Sequence, residues 1–344
     1  MSTDSKYMCL ALQQAHFAIG VSRPNPPVGA VVVSNGIVVG KGFTQAPGNA
    51  HAEVMAIKDA GPKALGADLW VTLEPCCHYG RTPPCTQAIG EAGIRRVFYS
   101  HPDPNPAVRS KSKEILEAAG IEVFEGILSE ETNRFYEAYD YFVRNQRPFV
   151  EVKVAQTQDG FIAGKNRERL MITGDEANHW TNSLRSISDA ILIGGGTLEA
   201  DDPLLSLRGL EGNSPERIVL VGKRLLSSRY RMFHEGKKPI IYSEVPQKEI
   251  EEIAEVRLLR GNNFLSHWTQ IIDDLSNRGM HRLLVEAGSQ LSKLIIDAQV
   301  YNRFHVWVSP KRIGEGLPWA LTIEMDPSEK DQHISFVNHK FNGK

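Results

Sequence analysis

The sequence predicts an α/β protein with two domains. Its 344 residues amount to two domains if one domain runs to roughly 150 residues. Hydrophobic residues make up 41% of the chain, which is enough for two cores. Short β-rich runs alternate with helical patterns along the chain, as in α/β folds. No internal repeat, heptad run or low-complexity tract interrupts this alternation.

Composition and charge exclude several classes of protein. The chain has 39 Lys+Arg against 41 Asp+Glu, a formal net charge of -2, whereas a generic polyanion binder needs a basic excess. No apolar run approaches the roughly 20 residues that span a bilayer. The first residues lack the apolar stretch of a signal peptide. We therefore expect a soluble, cytoplasmic protein that binds neither nucleic acid nor membrane.

The first half predicts one α/β sandwich. Helical patterns cover residues 7–19, 52–59, 84–92, 112–119 and 130–145, and β-rich runs cover 29–33, 36–40, 69–73 and 96–99. The first two β-rich runs form a hairpin. Asn49 is expected to open the second helix, because asparagine is a good N-cap, and Gly120 is expected to end the fourth.

A domain boundary is predicted at Arg147-Pro148, because proline disfavours the helical conformation in the residue before it. The predicted domains are therefore 1–147 and 148–344. A second α/β series follows the boundary, with β-rich runs at residues 149–154, 190–193, 217–221, 239–242, 282–285 and 304–308.

Three of the four cysteines, Cys76, Cys77 and Cys85, fall within ten positions of one another. Such clustering in a cytosolic chain favours metal binding or catalysis. His51 adds an imidazole at the start of a predicted helix, and Glu53 adds a carboxylate two residues later. One imidazole with two thiolates suits zinc and leaves a fourth position for water, which is typical of a catalytic site.

This pattern predicts His51, Cys76 and Cys85 as zinc ligands and Glu53 as the proton carrier of a hydrolytic deaminase. The alternative is a closed structural zinc site with four protein ligands, namely Cys76, Cys77, His78 and Cys85. Adjacent cysteines can hardly both reach one tetrahedral ion, so we expect Cys77 to pack rather than to ligate.

Five segments of the first half form a specific series: Pro24-Asn25-Pro26-Pro27-Val28-Gly29, His51-Ala-Glu53, Thr72-Leu-Glu-Pro-Cys76, Gly80-Arg-Thr-Pro-Pro-Cys85 and Asp103-Pro-Asn-Pro106. In order and spacing they resemble the deaminase half of the bifunctional deaminase/reductase family of riboflavin biosynthesis. The resemblance implies that Asn25, His78 and Arg81 bind substrate, although Asn25 equally suits a turn and Arg81 a solvated loop. The family usually has a histidine where this chain has Thr44.

The second half continues the resemblance, with matches at Lys153, Ala155, Asp159-Gly160, Ile172-Thr173, Arg185, Thr197, Ala200-Asp201-Asp202-Pro203, Leu205, Arg208 and Glu286-Ala-Gly288. The family implies a cytidine-deaminase-like three-layer sandwich followed by a dihydrofolate-reductase-like domain that uses NADPH. Its substrate positions fall on Lys153, Arg169, Arg185, Leu205, Arg208 and Glu286. Its cofactor positions fall on Ala155, Met171, Thr197, Asp201, Lys223, Gly288, Ser289, Gln290, Leu291, Ser292, Lys293 and Leu294.

Residue chemistry in the second half supports several of these positions. Glycine-rich turns at residues 194–196 and 288 follow predicted strands, and backbone amides at such turns cradle phosphate, although most glycine turns are plain turns. Neither turn is Gly-x-Gly-x-x-Gly, so a Rossmann dinucleotide domain is not indicated. Arg185 and Arg208 suit a phosphate monoester or else surface ion pairs. Lys223 and Arg224 suit a 2′-phosphate or else an exposed turn.

The leading hypothesis is a two-step enzyme. It deaminates a diaminopyrimidinone ribosyl 5′-phosphate with zinc and then reduces the ribosyl side chain to ribityl with NADPH. Arg169 and Met171 depart from the family, and the chain ends at Lys344, about one strand earlier than expected. The alternatives are a deaminase with a non-reducing second domain, a nucleic-acid base deaminase and a non-enzymatic zinc module. A homo-oligomer is left open.

Overall fold

A computed structural model describes residues 2–106, 108–165, 170–319, 323 and 330–338. The chain divides into two compact units, one of Met1–Gln146 with Glu211–Asn213 and one of Arg147–Leu210 with Ser214–Lys344. Each unit contains its own large sheet. Over the described ranges, none of the helices has the length and apolar character needed to cross a membrane.

The first unit is built on a five-stranded sheet. Its strands are β1 (Gly29–Ser34), β2 (Ile37–Phe43), β3 (Asp68–Leu73), β4 (Arg96–His101) and β5 (Glu122–Glu125). Its helices are α1 (Thr3–Ala18), α2 (Ala52–Ala60), α3 (Cys85–Glu91), α4 (Lys111–Ala118) and α5 (Ser129–Asn145), with a short 3-10 helix at Gly61–Ala64. The strand order is β2-β1-β3-β4-β5. β1 pairs antiparallel with β2 and β3, and β4 is parallel to both of its neighbours.

Both faces of this sheet are covered by apolar packing. Successive residues of a strand point to opposite faces. Val71 accordingly belongs to one buried cluster, whereas Trp70 belongs to another, together with Tyr7 of α1. The first unit is therefore the three-layer α/β sandwich that the sequence predicted.

Helix α2 lies very close to strand β2 because the strand presents glycines to it. A Cβ placed on Gly42 would stand 2.4 Å from the carbonyl oxygen of Ala52, and one on Gly40 would stand 2.2 Å from that of Ala56. Ala52 and Ala56 are themselves fully buried. This approach sets the position of α2, which carries His51 at its N-cap.

Two local expectations for this unit differ from the structure. The N-cap of α2 is His51, not Asn49. Asn49 instead closes a turn, where its amide donates to the carbonyl of Ala46 at 3.0 Å. The edge strand β5 is absent from the prediction, because only two of its four residues are apolar and its ends, Glu122 and Glu125, are charged.

The second unit is built on an eight-stranded, mostly parallel sheet. The strands of the whole unit, including two that lie outside this sheet, are β6 (Phe149–Thr157), β7 (Phe161–Ala163), β8 (Ala190–Gly194), β9 (Glu216–Gly222), β10 (Ile240–Ser243), β11 (Glu255–Leu258), β12 (Arg282–Glu286), β13 (Arg303–Ser309), β14 (Leu317–Pro318) and β15 (Gln332–Val337). Its helices are α6 (Asp175–Ser186), α7 (Gly195–Asp201), α8 (Phe264–Asn277) and α9 (Ser289–Ala298), with a 3-10 helix at Arg231–Phe233.

The order in this sheet is β11-β10-β9-β8-β12-β6-β13-β15. Every neighbouring pair is parallel except β13 with β15, and β7 pairs with β14 in a small separate sheet. One buried cluster includes Val285 and Trp268, and the other includes Leu284 and Val219. Strands buried on both faces are nearly continuous apolar runs, which is why the sequence reveals them.

We predict that Gly42→Ala lowers the free energy of unfolding by about 1–3 kcal/mol, because the new methyl group collides with the backbone of α2. Gly90→Ala in α3 is the matched control. Outside its own helix, nothing described lies within 4 Å of a Cβ there, and replacing a helical glycine adds up to about 1 kcal/mol. Urea unfolding of the three proteins measures the difference. Equal stability of the parent and the Gly42 variant would contradict the prediction.

Candidate active sites

One imidazole and two thiols of the first unit lie together. The Nδ1 atom of His51 is 3.5 Å from Cys76 Sγ and 3.3 Å from Cys85 Sγ. All three donor atoms lie within 4.8 Å of one another. Tetrahedral zinc, with bonds of about 2.0 Å to nitrogen and 2.3 Å to sulfur, places those two atoms about 3.5 Å apart. The donor set therefore fits zinc in both chemistry and spacing.

The start of α3 holds the two thiols beside each other. Cys85 is its first residue, after the N-cap Pro84, and its amide donates to Cys76 Sγ at 3.3 Å. The first amides of a helix have no partner within the helix and favour negative charge. Hydrogen bonding from the Cys85 side chain also lowers the pKa of Cys76 to about 4. The same interaction raises the pKa of Cys85, so Cys76 is the thiol of the pair that loses its proton more readily, and the thiolate is the form that binds metals.

Glu53 stands in the first turn of α2, and only 4% of it is exposed. Burial, together with the nearby Cys76, raises its pKa to about 7. A carboxyl group with a pKa near the working pH both accepts and returns a proton readily. Because Glu53 lies two residues from His51, the two side chains leave the helix in different directions.

Glu74 has a structural role near the site that the sequence did not predict. It is buried at the end of β3, and its carboxylate accepts hydrogen bonds from the Ser112 hydroxyl at 2.7 Å and the Ser110 amide at 3.1 Å. These bonds fix the backbone two residues before Cys76. The available signal was a glutamate directly before the Pro-Cys pair.

The loop between Cys76 and Cys85 carries other predicted residues. Cys77 Sγ lies 4.0 Å from the carbonyl oxygen of Val108 and is not part of the three-residue donor group. His78 and Arg81 are exposed, so a ligand can reach both. Thr82 Oγ1 lies 3.4 Å from Nε2 of His51, the ring nitrogen that faces away from the thiols.

Asn25 lies in the turn that leads into β1. Its backbone amide donates to the carbonyl of Ser22 at 2.9 Å, and the Tyr136 hydroxyl of α5 donates to the carbonyl of Pro27 at 3.0 Å. The turn is therefore fixed from both sides. Thr44 is only 2% exposed, and its hydroxyl has no hydrogen-bond partner among the described residues. Thr44 therefore offers a ligand almost no accessible surface.

A cavity of about 1180 Å³ lies in the second unit, at the carboxyl ends of parallel strands. Ligands of α/β sheets bind at this edge. The predicted residues that line the cavity are Lys153, Ala155, Met171, Thr197, Asp201, Lys223, Glu286, Gly288, Ser289, Gln290, Leu291, Lys293 and Leu294.

Four predicted residues that the structure describes do not line the cavity, namely Arg185, Leu205, Arg208 and Ser292. Leu205 belongs to the apolar core. Ser292 is fully buried on the inner face of α9, where its hydroxyl donates to the carbonyl of Gly288 at 2.9 Å and accepts from Trp319 Nε1 at 2.9 Å. Its side chain faces the core and not the cavity. Arg169 lies outside the described residues.

Lys153 and Glu286 stand opposite each other on β6 and β12. Arg185 of α6 donates to both carboxylate oxygens of Glu286, at 2.6 and 2.8 Å. Burial raises the pKa of Glu286, but the bond to Arg185 outweighs it and holds the pKa below its usual value. Burial also lowers the pKa of Lys153. Arg185 thus forms an ion pair, one of the two alternatives that the sequence left open, and its contact with a substrate phosphate stays a prediction.

The two glycine-rich turns face each other inside the cavity. A Cβ on Gly288, the N-cap of α9, would stand 3.1 Å from Thr197 Oγ1. Lys223 and Arg224 follow β9 and also line the cavity. Arg224 donates to Glu199 at 2.7 Å, so Lys223 is the more available cation of the pair.

Comparisons with known proteins match each half of the chain to a protein family. The family described as the cytidine and deoxycytidylate deaminase zinc-binding region matches residues 1–101, and the RibD C-terminal domain matches residues 148–334. The riboflavin biosynthesis protein RibD of Aquifex aeolicus is 38% identical over 91% of this chain and 89% of its own length. The Bacillus amyloliquefaciens protein of that name is 35% identical over 97% and 92%.

Solved structures agree with these matches. The diaminohydroxyphosphoribosylaminopyrimidine deaminase/5-amino-6-(5-phosphoribosylamino)uracil reductase of Thermotoga maritima has a TM-score of 0.77 and 34% identity, and the match covers 97% of this chain and 98% of that one. Acinetobacter baumannii RibD has a TM-score of 0.75 and 29% identity over the same shares. The predicted combination of a cytidine-deaminase-like and a reductase domain is confirmed, and the chain belongs to the RibD family of riboflavin biosynthesis proteins.

Proposed function

We propose that this chain deaminates a diaminopyrimidinone ribosyl 5′-phosphate and then reduces its ribosyl side chain to ribityl with NADPH. Residues 1–147 would carry the first reaction and residues 148–344 the second. The observation that carries the proposal is the presence of two complete sites in one chain. A zinc-fitting donor set lies beside the buried Glu53, and a cavity contains Lys153 and Glu286. No observation favours a deaminase alone.

The deaminase chemistry follows from the first site. His51, Cys76 and Cys85 would hold zinc, and bound zinc supplies the Lewis acidity that makes water nucleophilic at neutral pH. Glu53 accepts the proton that the attacking water releases and returns it to the departing amine, so that water and substrate give the carbonyl product and ammonia. Glu53 can do so because its buried carboxyl has a raised pKa.

Substrate contacts in the first unit are proposed for Asn25, His78 and Arg81. The exposed His78 and Arg81 lie on the loop between the two thiols, and the partly exposed Asn25 belongs to a turn held by Tyr136. Loops beside a catalytic centre commonly bind substrate.

The reductase chemistry follows from the second site. When bound, NADPH supplies a hydride, which we assign to the anomeric carbon of the opened sugar. The matching proton can come from Lys153, whose pKa is lowered by burial. Arg185 acts as a positioning residue that fixes Glu286 beside Lys153. Backbone amides at the start of α9 suit the pyrophosphate of the cofactor.

Zinc ligation also agrees with a cytoplasmic location. All four cysteines are free thiols in the structure. Cytosolic conditions keep such thiols reduced, so that Cys76 and Cys85 stay available to a metal.

We predict that Glu53→Gln keeps stoichiometric zinc but lowers the deamination rate by roughly 10²–10⁴-fold, which is the usual contribution of a general acid–base group. Cys77→Ser is the matched control and should keep both zinc and activity, because Cys77 is outside the donor group. Metal analysis and ammonia release measure the two properties. Zinc loss in the Glu53 variant, or in the Cys77 control, would show that the ligands are assigned wrongly.

A strong chelator should abolish ammonia release and spare NADPH oxidation when the deaminated intermediate is supplied. The donor group belongs to one unit and the cavity to the other, and hydride transfer needs no metal in this scheme. A spectrophotometric assay before and after zinc removal tests this. Parallel loss of the two activities would contradict the independence of the sites.

Lys223→Gln should weaken NADPH binding by roughly 10- to 150-fold and leave NADH binding nearly unchanged, since a charge-assisted bond to the 2′-phosphate contributes about 1.5–3 kcal/mol. Arg224→Gln is the control and should matter less, because Arg224 is paired with Glu199. Fluorescence titration of both dinucleotides measures the effect. If the ratio of NADPH to NADH affinity is unchanged in the Lys223 variant, a residue other than Lys223 must contact the 2′-phosphate.

A further inference from the structure

We infer that Glu244 is a second determinant of cofactor choice, and that its carboxylate opposes the 2′-phosphate that Lys223 attracts. The inference rests on the proposed function, because it takes the cavity of the second unit as a nicotinamide dinucleotide site. It adds that the reductase site accepts NADH as well as NADPH, with only a modest preference between them.

The order of the strands orients the cofactor in the cavity. Lys153 lies in the middle of β6, opposite Glu286 at the end of β12. The glycine turns follow β8 and β12, and Lys223 and Glu244 follow β9 and β10. These strands are consecutive neighbours across the sheet. If the reactive ring lies beside Lys153 and the pyrophosphate on the glycine turns, the adenosine ribose would lie at the ends of β9 and β10.

Glu244 stands directly beside the turn that carries Lys223. Its amide donates to the carbonyl of Gly222 at 2.8 Å, and its Oε1 lies 3.4 Å from where a Cβ on Gly222 would stand. The side chain lines the cavity and is 24% exposed. A ligand bound between the two strand ends therefore meets the carboxylate as well as the ammonium group.

The charge of Glu244 is not neutralised by a lysine or arginine among the described ion pairs. Its ion-pair neighbour there is His267, whose Nδ1 lies 3.9 Å from Oε1 and whose Nε2 donates to the carbonyl of Gly261 at 3.2 Å. The nearby Arg224 is bound to Glu199. Besides the paired Arg224, this end of the cavity thus presents the ammonium group of Lys223 and the carboxylate of Glu244.

The two charges act in opposite directions on the two dinucleotides. A carboxylate beside the adenosine ribose hydrogen-bonds to a free 2′-hydroxyl, whereas a basic residue accommodates a 2′-phosphate. Glu244 therefore favours NADH and repels the phosphate of NADPH, and Lys223 does the reverse. With both present, neither dinucleotide is strongly excluded.

The test uses the zinc-loaded full chain and the variant Glu244→Gln, which keeps the shape of the side chain and removes its charge. Dissociation constants for NADPH and NADH are measured by calorimetry. The expected result is a shift of the affinity ratio toward NADPH by about three- to tenfold, as for one charge acting across a partly solvated site. Glu251→Gln, an exposed residue that does not line the cavity, should leave the ratio unchanged.

A ratio in Glu244→Gln that stays within about twofold of the parent would overturn the inference alone, because Glu244 would then change the preference between the two cofactors by less than about 0.4 kcal/mol. Glu244→Asp keeps the charge and should stay close to the parent, so an equal shift in both Glu244 variants would overturn it as well. A parent chain that binds neither dinucleotide would overturn the proposed cofactor site and this inference with it.

Discussion

The close contact between β2 and α2 is the constraint on which the deaminase site depends. Gly40 and Gly42 leave no room for a Cβ, and the alanines opposite them are fully buried. A helix this near cannot slide without backbone collision. The contact therefore fixes the positions of His51 and Glu53 relative to the loop that carries the thiols. Glycine and alanine bury little apolar surface, so the contact contributes positional accuracy more than stability.

Each site also depends on a buried carboxylate whose surroundings decide its role. Glu53 lies in an enclosed position that raises its pKa, which suits proton transfer. Glu286 is equally enclosed, but Arg185 keeps it ionised, which suits a fixed negative neighbour for Lys153. Glu74 has no part in either reaction, yet its hydrogen bonds fix the backbone before Cys76. Function in this chain thus follows from the environment of a carboxylate and not from its residue type.

The sequence revealed those features that have a local signature. The parallel strands are apolar runs, and His51, Cys76 and Cys85 stand in a recognisable spacing, so both were predictable. The inward orientation of Ser292 could not be predicted from the sequence, because tertiary packing determines which face of α9 meets the core. Glu244 has no motif, since a glutamate after a strand is common. The engagement of Arg185 by Glu286 joins residues 101 positions apart, which only the folded sheet brings together.

The separate cores affect how the chain folds while the ribosome synthesises it. The buried residues of both clusters in the first unit lie between Tyr7 and Tyr139, whereas those of the second unit lie between Val150 and Trp319. Chains emerge from the ribosome N-terminus first, and domains generally fold as units. The deaminase half can therefore bury its apolar side chains while the reductase half is still being translated. Strand β6 can pair with β12 only after β12 has been synthesised, because Arg282 of β12 contacts Glu151 across 131 positions. We therefore expect the apolar strands of the reductase half to stay exposed for longer during synthesis than those of the deaminase half.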